Sequence, residues 1–452
     1  MNPRSIVKKI IPKQLFKKIE PYGHLGEAVL AEIVHGFPAR KLKIIGVTGT
    51  DGKTSTCSFI KQMLASNGYK TAMMTTISVD YGDGTGEHAN PTRMTTVGAF
   101  PLVKQLTKVK QAGAEWLVLE TTSHALAQHR TWGVPYHLAV MTNISHEHLD
   151  YHGTFKKYMV AKVMLFKQCS RNRKGLKTGV INADDPHSED FAKAIKRNMF
   201  YGVKNGELQA RNIELRPSGS SYSVTIGDEE YNIQCHLPGS FNIYNSLAAV
   251  AAGLAIGLDK QQIEQGIASL QAVEGRMTHI DEGQSFDVVV DYAHTPDSFE
   301  KLFSELRPLV KGHIISVFGS SGRRDESKRA TQGEIAGKYS DIVIATEEDD
   351  RDCDGQEILE QIASGAIKSG KKKEKNLLLI HKREDAVAKA IKLAKAGDLV
   401  LFLGKGHEQS ILANGPKAAE LLHLPQDDTD KRRVIKRPYS EIEVVRKNLK
   451  RL

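Results

Sequence analysis

Short apolar runs alternate along this chain with amphipathic segments. The runs KIIGVTG, EWLVLETT, HLAVMTN and TGVINAD are typical of strands, whereas TSTCSFIKQMLASNG and PLVKQLTKVKQAG have the spacing of helices. Because the two patterns take turns, they favour β-α-β units with helices on both faces of a largely parallel sheet. Residues 41–273 are therefore predicted to form a central α/β domain.

A second alternating series begins near residue 284. Its strand-like runs are SFDVVVDYAH, HIISVFG, DIVIATEE, NLLLIHK and DLVLFLGKG. The polar residues 205–236, which precede it, predict a segment of antiparallel strands. We place the domain boundary at about residue 274. Residues 274–452 are thus predicted to form a C-terminal Rossmann-like α/β domain, and the basic residues 1–40 a lead-in that is helix or tail.

Composition narrows the class of protein. The 452 residues suffice for two or three domains, and 40% hydrophobic content is typical of a globular protein. The longest small-apolar run, residues 247–258, is shorter than the roughly 20 residues of a spanning helix, and lysines interrupt residues 1–20, so a cytoplasmic protein is expected. Four widely spaced cysteines without a C-x-x-C pair are interpreted as reduced thiols.

The net charge of +10 raises the question of an anionic partner. No basic motif with interleaved aromatic residues is present, so we expect no nucleic-acid partner. An anionic nucleotide substrate would explain a positive cleft equally well. We expect a monomer.

The stretch IIGVTGTDGKTSTCSFI, residues 44–60, runs from a strand through a glycine-rich turn into a helix. Backbone N–H groups and a helix N-terminus would point at one spot there, where a phosphate could bind and Lys53 could reach it. The turn is shorter than a standard P-loop, because Val47 stands where that motif has a glycine. An ordinary glycine turn is the alternative, but the flanking strand and helix favour a phosphate loop.

Further polar residues follow the neighbouring strands. Glu120 ends a predicted strand, where ligands gather in open α/β sheets, and a carboxylate facing a phosphate loop is a natural Mg²⁺ ligand. His148, with His152 as a second candidate, follows the next strand, although such histidines often have structural roles. Lys162 lies among the apolar residues of YMVAKVMLF, so its amine should be paired, neutral or modified.

Nine motifs carry a family resemblance between residues 44 and 408. They are GTDGKTST, ETTSHAL with HR, TNISHEHLDYHG, AK, LPGSFNIYNSLAA, GRM, DYAHTPDS, VFGSSGRRDESKR and GKGHE. In this order they closely resemble the Mur ligases, and within that family the MurE branch of UDP-N-acetylmuramoyl-tripeptide synthetases. The resemblance implies ATP-dependent amide formation through an acyl phosphate in peptidoglycan precursor synthesis, with ADP and phosphate as products.

The resemblance also assigns nucleotide and metal roles. It implies that ATP phosphates bind to the turn made of Gly49, Thr50, Asp51, Gly52, Lys53, Thr54 and Ser55. It implies two Mg²⁺ ions held by Thr54, Glu120, His148 and Lys162, the last as a carbamylated lysine that supplies a carboxylate-like ligand. Lys53, Glu120, His148 and Lys162 are the implied catalytic residues. Asn242 and Asn245 resemble adenine-side contacts, and Arg276, Asp291 and His294 resemble ribose and phosphate contacts.

Substrate residues follow in the same way. Thr95, Thr96, Ser123 and Arg130 match positions that hold the muramoyl-dipeptide. Family members that use meso-diaminopimelate carry an Asp-Asn-Pro-Arg motif, which here is EEDDRD, so Arg351 matches while Asp349 and Asp350 replace Asn and Pro. Diaminopimelate is favoured and L-lysine remains an alternative. Arg324, Gly404 and Glu408 also resemble amino-acid contacts.

The sequence differs from the MurE pattern at the N-terminus. MurE proteins begin with a uridine-binding domain of about 100 residues, and we expect residues 1–40 to be too short for it. Two-domain folylpolyglutamate synthases are therefore an alternative, although LDYHG, DYAHTP and GKGHE follow the muramyl branch. A non-catalytic Mur-like subunit is another, which the presence of Lys53, Glu120, His148 and Lys162 disfavours. The lead-in is either a helix packed on the ATPase domain or a membrane-surface helix.

Overall fold

The computed structural model describes residues 13–90, 94–145, 147–216, 218–273, 277–414 and 434–452. They form two compact units. The first extends to Ile213 and includes Ser221–Cys235 and Phe241–Leu270, and the second comprises Glu214–Ser220, His236–Ser240 and Gln271–Leu452. The α/β class predicted from the sequence is confirmed. The predicted domain limits at residues 40 and 274 stay predictions.

The first unit is built on a sheet of nine strands among the described residues, in the order β4-β3-β2-β5-β1-β6-β7-β8-β9. The strands are β1 (Lys43–Thr48), β2 (Thr71–Met74), β3 (Ser78–Asp80), β4 (His88–Ala89), β5 (Trp116–Glu120), β6 (Tyr136–Met141), β7 (Thr178–Asn182), β8 (Arg197–Gly202) and β9 (Leu208–Gln209). A second sheet has the order β10 (Arg211–Arg216), β11 (Gly219–Ile226) and β12 (Glu229–Cys235).

The first unit also contains helices. They are α1 (Lys13–His35), α2 (Lys53–Ser66), α3 (Ala99–Gln111), α4 (Ser123–Ala127), α5 (Leu149–His152), α6 (Phe155–Arg171), α7 (Ser188–Ala192), α8 (Phe241–Ile256) and α9 (Lys260–Ala268), with a 3₁₀ turn at Pro38–Lys41. The central strands β1, β5 and β6 are almost fully buried. Burial on both faces explains why these strands read as continuous apolar runs rather than as alternating ones.

The parallel register of the central strands brings their carboxyl ends together. β1 lies between β5 and β6, with Val47 opposite Glu120 and Thr48 opposite Met141. The loop that follows Thr48 therefore emerges beside Glu120 and beside the residues that follow Met141. This edge of the sheet is where a parallel α/β fold binds its ligands.

Helix α1 packs on the first unit through small side chains. Ala28 and Ala31 are fully buried against Ala99 and Val103 of α3. Alanine at the contact lets the two helix backbones approach closely, so the helix is held without large apolar side chains on its inner face. The lead-in thus contains a helix over Lys13–His35.

A buried carboxylate also lies on this inner face. Glu32 is 0% exposed, and within the described part of the chain neither carboxylate oxygen has a hydrogen-bond partner. Burial raises the pKa of Glu32 to about 7, while the charge of Arg40 acts in the opposite direction. Below about pH 7 the neutral acid is therefore the form that the folded protein favours.

We expect Glu32→Gln to stabilise the protein at pH 8 and to leave its stability unchanged at pH 4. In the wild type, folding free energy is lost as pH rises from the unfolded pKa of 4.5 to the folded value of about 7, because ionisation must occur in a buried site. The neutral amide avoids that loss, and we expect a gain of about 1–3 kcal/mol above pH 7. Urea unfolding at both pH values measures it, and an equal change at pH 4 and pH 8 would contradict the assignment.

The second unit has a six-stranded sheet in the order β13-β14-β18-β15-β16-β17. The strands are β13 (Thr278–His279), β14 (Asp287–Asp291), β15 (Ile314–Phe318), β16 (Ile342–Ala345), β17 (Leu377–Leu379) and β18 (Leu399–Leu403), and β19 (Ser410–Asn414) pairs separately with β20 (Val434–Pro438). The helices are α10 (Pro296–Leu306), α11 (Ser327–Tyr339), α12 (Gly355–Lys368), α13 (Arg383–Leu393) and α14 (Glu441–Leu449), with a 3₁₀ turn at Arg307–Leu309. All neighbours from β14 to β17 are parallel.

A buried guanidinium ties the loops of this unit together. Arg383 is 0% exposed and donates to the main-chain oxygens of Glu347 at 3.0 Å and Leu403 at 2.8 Å. It also donates to the Glu441 carboxylate of α14 at 2.7 Å. Arg437 of β20 donates to the carboxylate of Glu347 at 2.6 Å. The chain segments that follow β16 and β18 are thereby fixed to each other and to α14.

Helices long and apolar enough to cross a bilayer are absent from the described ranges.

Candidate functional site

The glycine-rich turn between β1 and α2 is shaped by two glycines that no other residue could replace without displacement of its neighbours. A Cβ on Gly49 would lie 1.8 Å from Oγ1 of Thr142. A Cβ on Gly52, whose φ is +76°, would lie 2.2 Å from Oδ1 of Asn245. The turn is therefore packed closely between the end of β6 and helix α8.

Hydrogen bonds hold the same turn to the segment after β6. The Asp51 N–H donates to Oδ1 of Asn143 at 2.9 Å, and the Asn143 amide donates back to the Asp51 oxygen at 3.1 Å. The Thr50 N–H donates to the Asn143 main-chain oxygen at 2.9 Å. Lys53, the first residue of α2, donates to the Thr50 oxygen at 2.6 Å. The turn is thus rigid and has a cationic side chain at the helix N-terminus, as an anion site requires.

Glu120 lies beside this turn, at the end of β5. Its Oε2 accepts from Thr54 Oγ1 at 2.9 Å and from the Thr76 N–H at 3.0 Å, and its Oε1 accepts from Thr76 Oγ1 at 3.1 Å. The carboxylate is 1% exposed. Thr54 and Glu120 therefore present oxygen atoms side by side, which is the donor type that Mg²⁺ prefers.

Lys162 reaches the other side of the turn from helix α6. It is 2% exposed, and its Nζ donates to the Gly49 oxygen at 2.5 Å. Nζ lies 4.7 Å from the centre of the Tyr158 ring. Burial, reinforced by the charge of Lys53, lowers the pKa of the Lys162 amine well below its usual range. Of the three alternatives for this lysine, the neutral or modified forms fit the burial best.

Tyr158 and Glu147 complete this side of the turn. The Tyr158 hydroxyl is 2.9 Å from Thr50 Oγ1 and 3.4 Å from Glu147 Oε2. Burial raises the pKa of Tyr158 above its usual range, so the ring hydroxyl stays neutral. Sequence reasoning missed both residues. The signal for Tyr158 was its position four residues before Lys162, which places both side chains on one face of a helix.

A group of aromatic and imidazole rings surrounds His148. Its ring is 4.7 Å from that of His124 and 6.3 Å from that of Tyr158. The His148 backbone is left-handed at φ +54°, and its side chain is 44% exposed with Nε2 3.7 Å from Glu147. His152 is buried instead, and its Nε2 is 3.0 Å from Ser123 Oγ. Of the two candidates, His148 is therefore the one with an accessible ring beside the Tyr158 and Lys162 cluster.

The residues assigned to the muramoyl-dipeptide form a chain of hydrogen bonds. Thr95 Oγ1 lies 2.7 Å from Thr76 Oγ1, within hydrogen-bond distance, and Thr96 Oγ1 donates to the Glu120 main-chain oxygen at 3.0 Å. The Arg130 guanidinium donates to the Thr96 oxygen. Thr96 therefore contacts Glu120 directly, whereas Thr95 is linked to it through Thr76 and Arg130 through Thr96.

The two asparagines assigned to adenine lie in the first turns of α8. Asn245 Nδ2 donates to Asn242 Oδ1 at 2.9 Å, and Asn245 Oδ1 accepts from Thr56 Oγ1 at 3.4 Å. Both are at least 96% buried, and Asn245 faces Gly52 of the turn. The structure thus brings Asn242 and Asn245 to the turn, together with Lys53, Thr54, Glu120 and Lys162. Ser55 is also buried there, in the first turn of α2.

The second unit gathers its own predicted residues at the carboxyl edge of its sheet. Asp291 ends β14 and accepts from the N–H groups of Met277 at 2.8 Å and Ala293 at 2.7 Å. The Gly404 N–H donates to the Asp291 main-chain oxygen at 3.2 Å, and His294 Nδ1 lies 2.9 Å from the Tyr292 oxygen. Arg276 lies outside the described residues.

The acidic segment after β16 is neutralised from within this unit. Asp349 accepts from Lys405 Nζ at 2.9 Å, and the same ammonium donates to Glu408 at 2.6 Å. Lys405, inside GKGHE, is fully buried and was missed by sequence reasoning. Asp350 pairs with His381 Nε2 at 2.7 Å. The acids that replace Asn and Pro are therefore bound to cationic or hydrogen-bonding groups of the protein.

Two arginines lie beside this segment. Arg351 has a left-handed backbone at φ +55°, and its guanidinium donates to the Gly322 oxygen at 3.1 Å. Arg324 is exposed in the loop after β15. Gly404 has φ +97°, and a Cβ there would lie 2.6 Å from Glu348 Oε2, so the loop after β18 approaches that carboxylate closely.

Comparison with known proteins gives consistent matches over most of the chain. The Mur ligase middle domain matches residues 47–253, and the Mur ligase glutamate ligase domain matches residues 275–406. A UDP-N-acetylmuramyl-tripeptide synthetase of Roseiflexus sp. (strain RS-1) is 39% identical over 404 residues, which is 87% of this chain and 79% of the relative. A UDP-N-acetylmuramoyl-L-alanyl-D-glutamate–2,6-diaminopimelate ligase of Bacillus cereus is 38% identical over 385 residues, which is 84% of this chain and 76% of the relative.

Solved structures agree with these matches. A UDP-N-acetylmuramoyl-L-alanyl-D-glutamate–2,6-diaminopimelate ligase is similar with a TM-score of 0.66 at 29% identity, over 91% of this chain and 79% of that one. A folylpolyglutamate synthase of Mycobacterium tuberculosis, complexed with ADP, has a TM-score of 0.65 at 16% identity, over 87% of this chain and 94% of that one. At 16% identity the likeness is one of fold alone.

Proposed function

Because this chain belongs to the Mur ligase family, we propose that it is an ATP-dependent ligase that joins an amino acid to UDP-N-acetylmuramoyl-L-Ala-D-Glu in peptidoglycan precursor synthesis. The observation that carries the proposal is the constellation around the glycine-rich turn. Helix α2 begins with Lys53 and Thr54. Glu120 contacts Thr54, and Lys162 contacts Gly49. We propose that it acts as a monomer in the cytoplasm.

The proposed reaction has two steps. The γ-phosphoryl group of ATP passes to the substrate carboxylate, which gives an acyl phosphate and ADP. The neutral amine of the incoming amino acid then attacks the acyl carbon and loses one proton as the amide bond forms, and inorganic phosphate leaves with the electron pair of the broken C–O bond. In the first step Lys53 and the N–H groups of the turn offset the charge of the transferring group. Asn242 and Asn245 would bind the adenine side.

The residues near the turn fit the divalent cation that the family requires. Thr54 and Glu120 offer adjacent hard oxygen donors, and His148 offers an accessible imidazole. A neutral Lys162 amine could react with CO₂ and lose one proton, which would give a carbamate with two further oxygen donors. Mg²⁺ bound there would shield the phosphoryl charge. Thr95, Thr96, Ser123 and Arg130 would hold the muramoyl-dipeptide.

The amino acid is proposed to be meso-diaminopimelate. The acids that could attract a cationic lysine side chain are occupied, since Asp349 binds Lys405 and Asp350 binds His381. Arg351 would then clamp the distal carboxylate of diaminopimelate. Arg324, Gly404 and Glu408 would bind the remaining groups of that amino acid. Asp291 and His294, with Arg276, would contact ribose and phosphate.

We expect Arg351→Ala to raise the KM for diaminopimelate by about 10- to 100-fold, because a charged hydrogen-bonded pair is lost. The kcat at saturating diaminopimelate should change by less than about threefold, because the proposed contact is with the distal carboxylate, which takes no part in the reaction. The matched control is Arg323→Ala, an exposed neighbour that pairs with Asp352. An unchanged KM in Arg351→Ala would contradict the assignment of the distal carboxylate.

Phosphate release from Mg-ATP tests the function itself. The purified chain is supplied with UDP-N-acetylmuramoyl-L-Ala-D-Glu and with meso-diaminopimelate, L-lysine or neither, and the product is identified by mass. Release that depends on both substrates supports the proposal and names the amino acid. Turnover only with a folate and glutamate would overturn it in favour of the folylpolyglutamate alternative, and no turnover on any substrate would favour a non-catalytic subunit.

A further inference from the structure

In the described part of helix α1, several large apolar side chains lie on the side opposite to the one that packs on the protein. Ala28 and Ala31 face inward, whereas Leu30 is 53% exposed, Ile33 is 60% exposed and Val34 is 63% exposed. A surface helix of a globular protein normally has the reverse arrangement, with its large apolar stripe on the core. Packing against the described part of the protein therefore does not explain the apolar outer face of α1.

The exposed residues form one continuous stripe. Tyr22, 75% exposed, lies on the same side as Leu30 and Ile33, and the exposed Gly26 lies between them. At 100° per residue these positions and Val34 fall within an arc of about 120°, and at 1.5 Å per residue they extend about 18 Å along the helix. Between Tyr22 and His35 no charged residue falls within this arc, because Glu27 and Glu32 lie outside it.

Exposed cations follow the stripe where the helix ends. Arg40 and Lys41 are exposed directly after the helix, and Arg40 lies 3.8 Å above the ring of Phe37. In the sequence, residues 1–20 contain six Lys or Arg residues and one acid. An uninterrupted apolar stripe followed by exposed cations, in a part of the chain whose sequence is basic, is typical of a helix that lies in the plane of a membrane interface.

We propose that the outer face of α1 binds the surface of an anionic lipid bilayer. The exposed tyrosine and aliphatic side chains would enter the headgroup and acyl boundary, and the flanking cations would contact anionic headgroups. The attachment is peripheral. It goes beyond the proposed ligase activity and does not depend on it.

A second copy of this chain is the main competing occupant, and the charge after the helix disfavours a parallel pair. Two α1 helices packed side by side in parallel through this stripe would bring Arg40 and Lys41 of both copies near each other. A bilayer with anionic lipids complements the same charges in every orientation.

Vesicle co-sedimentation of the full chain tests the proposal without nucleotide or substrate. One set of vesicles contains phosphatidylcholine with about one third phosphatidylglycerol, and the other is pure phosphatidylcholine. The test variant is the double substitution Leu30→Gln and Ile33→Gln, which removes exposed apolar groups only. The matched control is Ile367→Gln in α12, a residue that is 47% exposed in the second unit.

The wild type and Ile367→Gln should pellet with the anionic vesicles, and the double variant should show a partition coefficient at least about tenfold lower. Binding of the wild type should weaken in high salt and on pure phosphatidylcholine. Equal pelleting of the wild type and the double variant overturns the proposal, as does failure of the wild type to bind. Concentration-dependent dimerisation in analytical ultracentrifugation that the double variant abolishes, without vesicle binding, would assign the stripe to a second copy. Thermal unfolding of each variant checks that its fold is retained.

Discussion

Lys162→Ala is expected to lower the ligation rate by on the order of 10³-fold while the protein remains folded. The proposed role of this residue is to supply a carbamate oxygen for a divalent cation at the phosphate loop. Its amine is buried against Gly49, and its low pKa makes it the neutral nucleophile that CO₂ requires. Alanine can neither form the carbamate nor hold the cation. The rate of phosphate release with both substrates measures the loss.

The matched control is Lys167→Ala, an exposed lysine on the same helix, which should keep wild-type activity. Thermal stability should be unchanged or higher in Lys162→Ala, because a buried amine with little compensation is removed. Exhaustive removal of CO₂ from the buffer should lower wild-type activity, and bicarbonate should restore it. Wild-type turnover in Lys162→Ala, or wild-type activity that is insensitive to CO₂, would discredit the carbamate.

Glu120→Gln is expected to lower kcat by about 10²- to 10³-fold and to raise the Mg²⁺ concentration needed for half-maximal activity. The amide oxygen can still accept from Thr54 Oγ1 or from the Thr76 N–H, so the local fold should survive. Only the negative charge that attracts the cation is lost. Titration of phosphate release with Mg²⁺ measures both effects.

Glu115→Gln provides the control, since Glu115 is exposed at the opposite end of the same strand region. It removes one carboxylate of the same kind without contact with the turn. An identical Mg²⁺ requirement in Glu120→Gln and Glu115→Gln would show that Glu120 is not a ligand. The loss of rate alone would not decide this, because it could follow from a displaced Thr54.

The sequence predicts most of the fold, and it predicts the candidate site residues of the first unit, for simple physical reasons. β1 and β5 are continuous apolar runs because both faces of their sheet are covered. The change from apolar to polar residues in the sequence therefore marks where each strand ends. Gly49 and Gly52 mark the turn because side chains are excluded there. Lys162 is visible because a lysine within an apolar helix face is exceptional.

Other features depend on contacts between segments that are distant in sequence. Lys405 neutralises Asp349 across 56 residues, so the acidic segment looked more negative in the sequence than it is in the fold. Thr76 contacts Glu120 from a different strand connection, 44 residues away. The exposure of the apolar face of α1 was also not predictable. Periodicity shows the two faces of a helix but not which of them packs on the protein.

The partners in the buried contacts of Arg383 and Arg437 are synthesised at different times. Arg383 is joined to Glu441 across 58 residues, and Glu347 to Arg437 across 90 residues. At about 5–20 residues per second, a ribosome adds the later partners several seconds after the earlier ones. During that interval the segment around Glu347 has emerged without the cation that neutralises it. These contacts of the second unit are therefore completed on the ribosome well after the glycine-rich turn of the first unit has been synthesised.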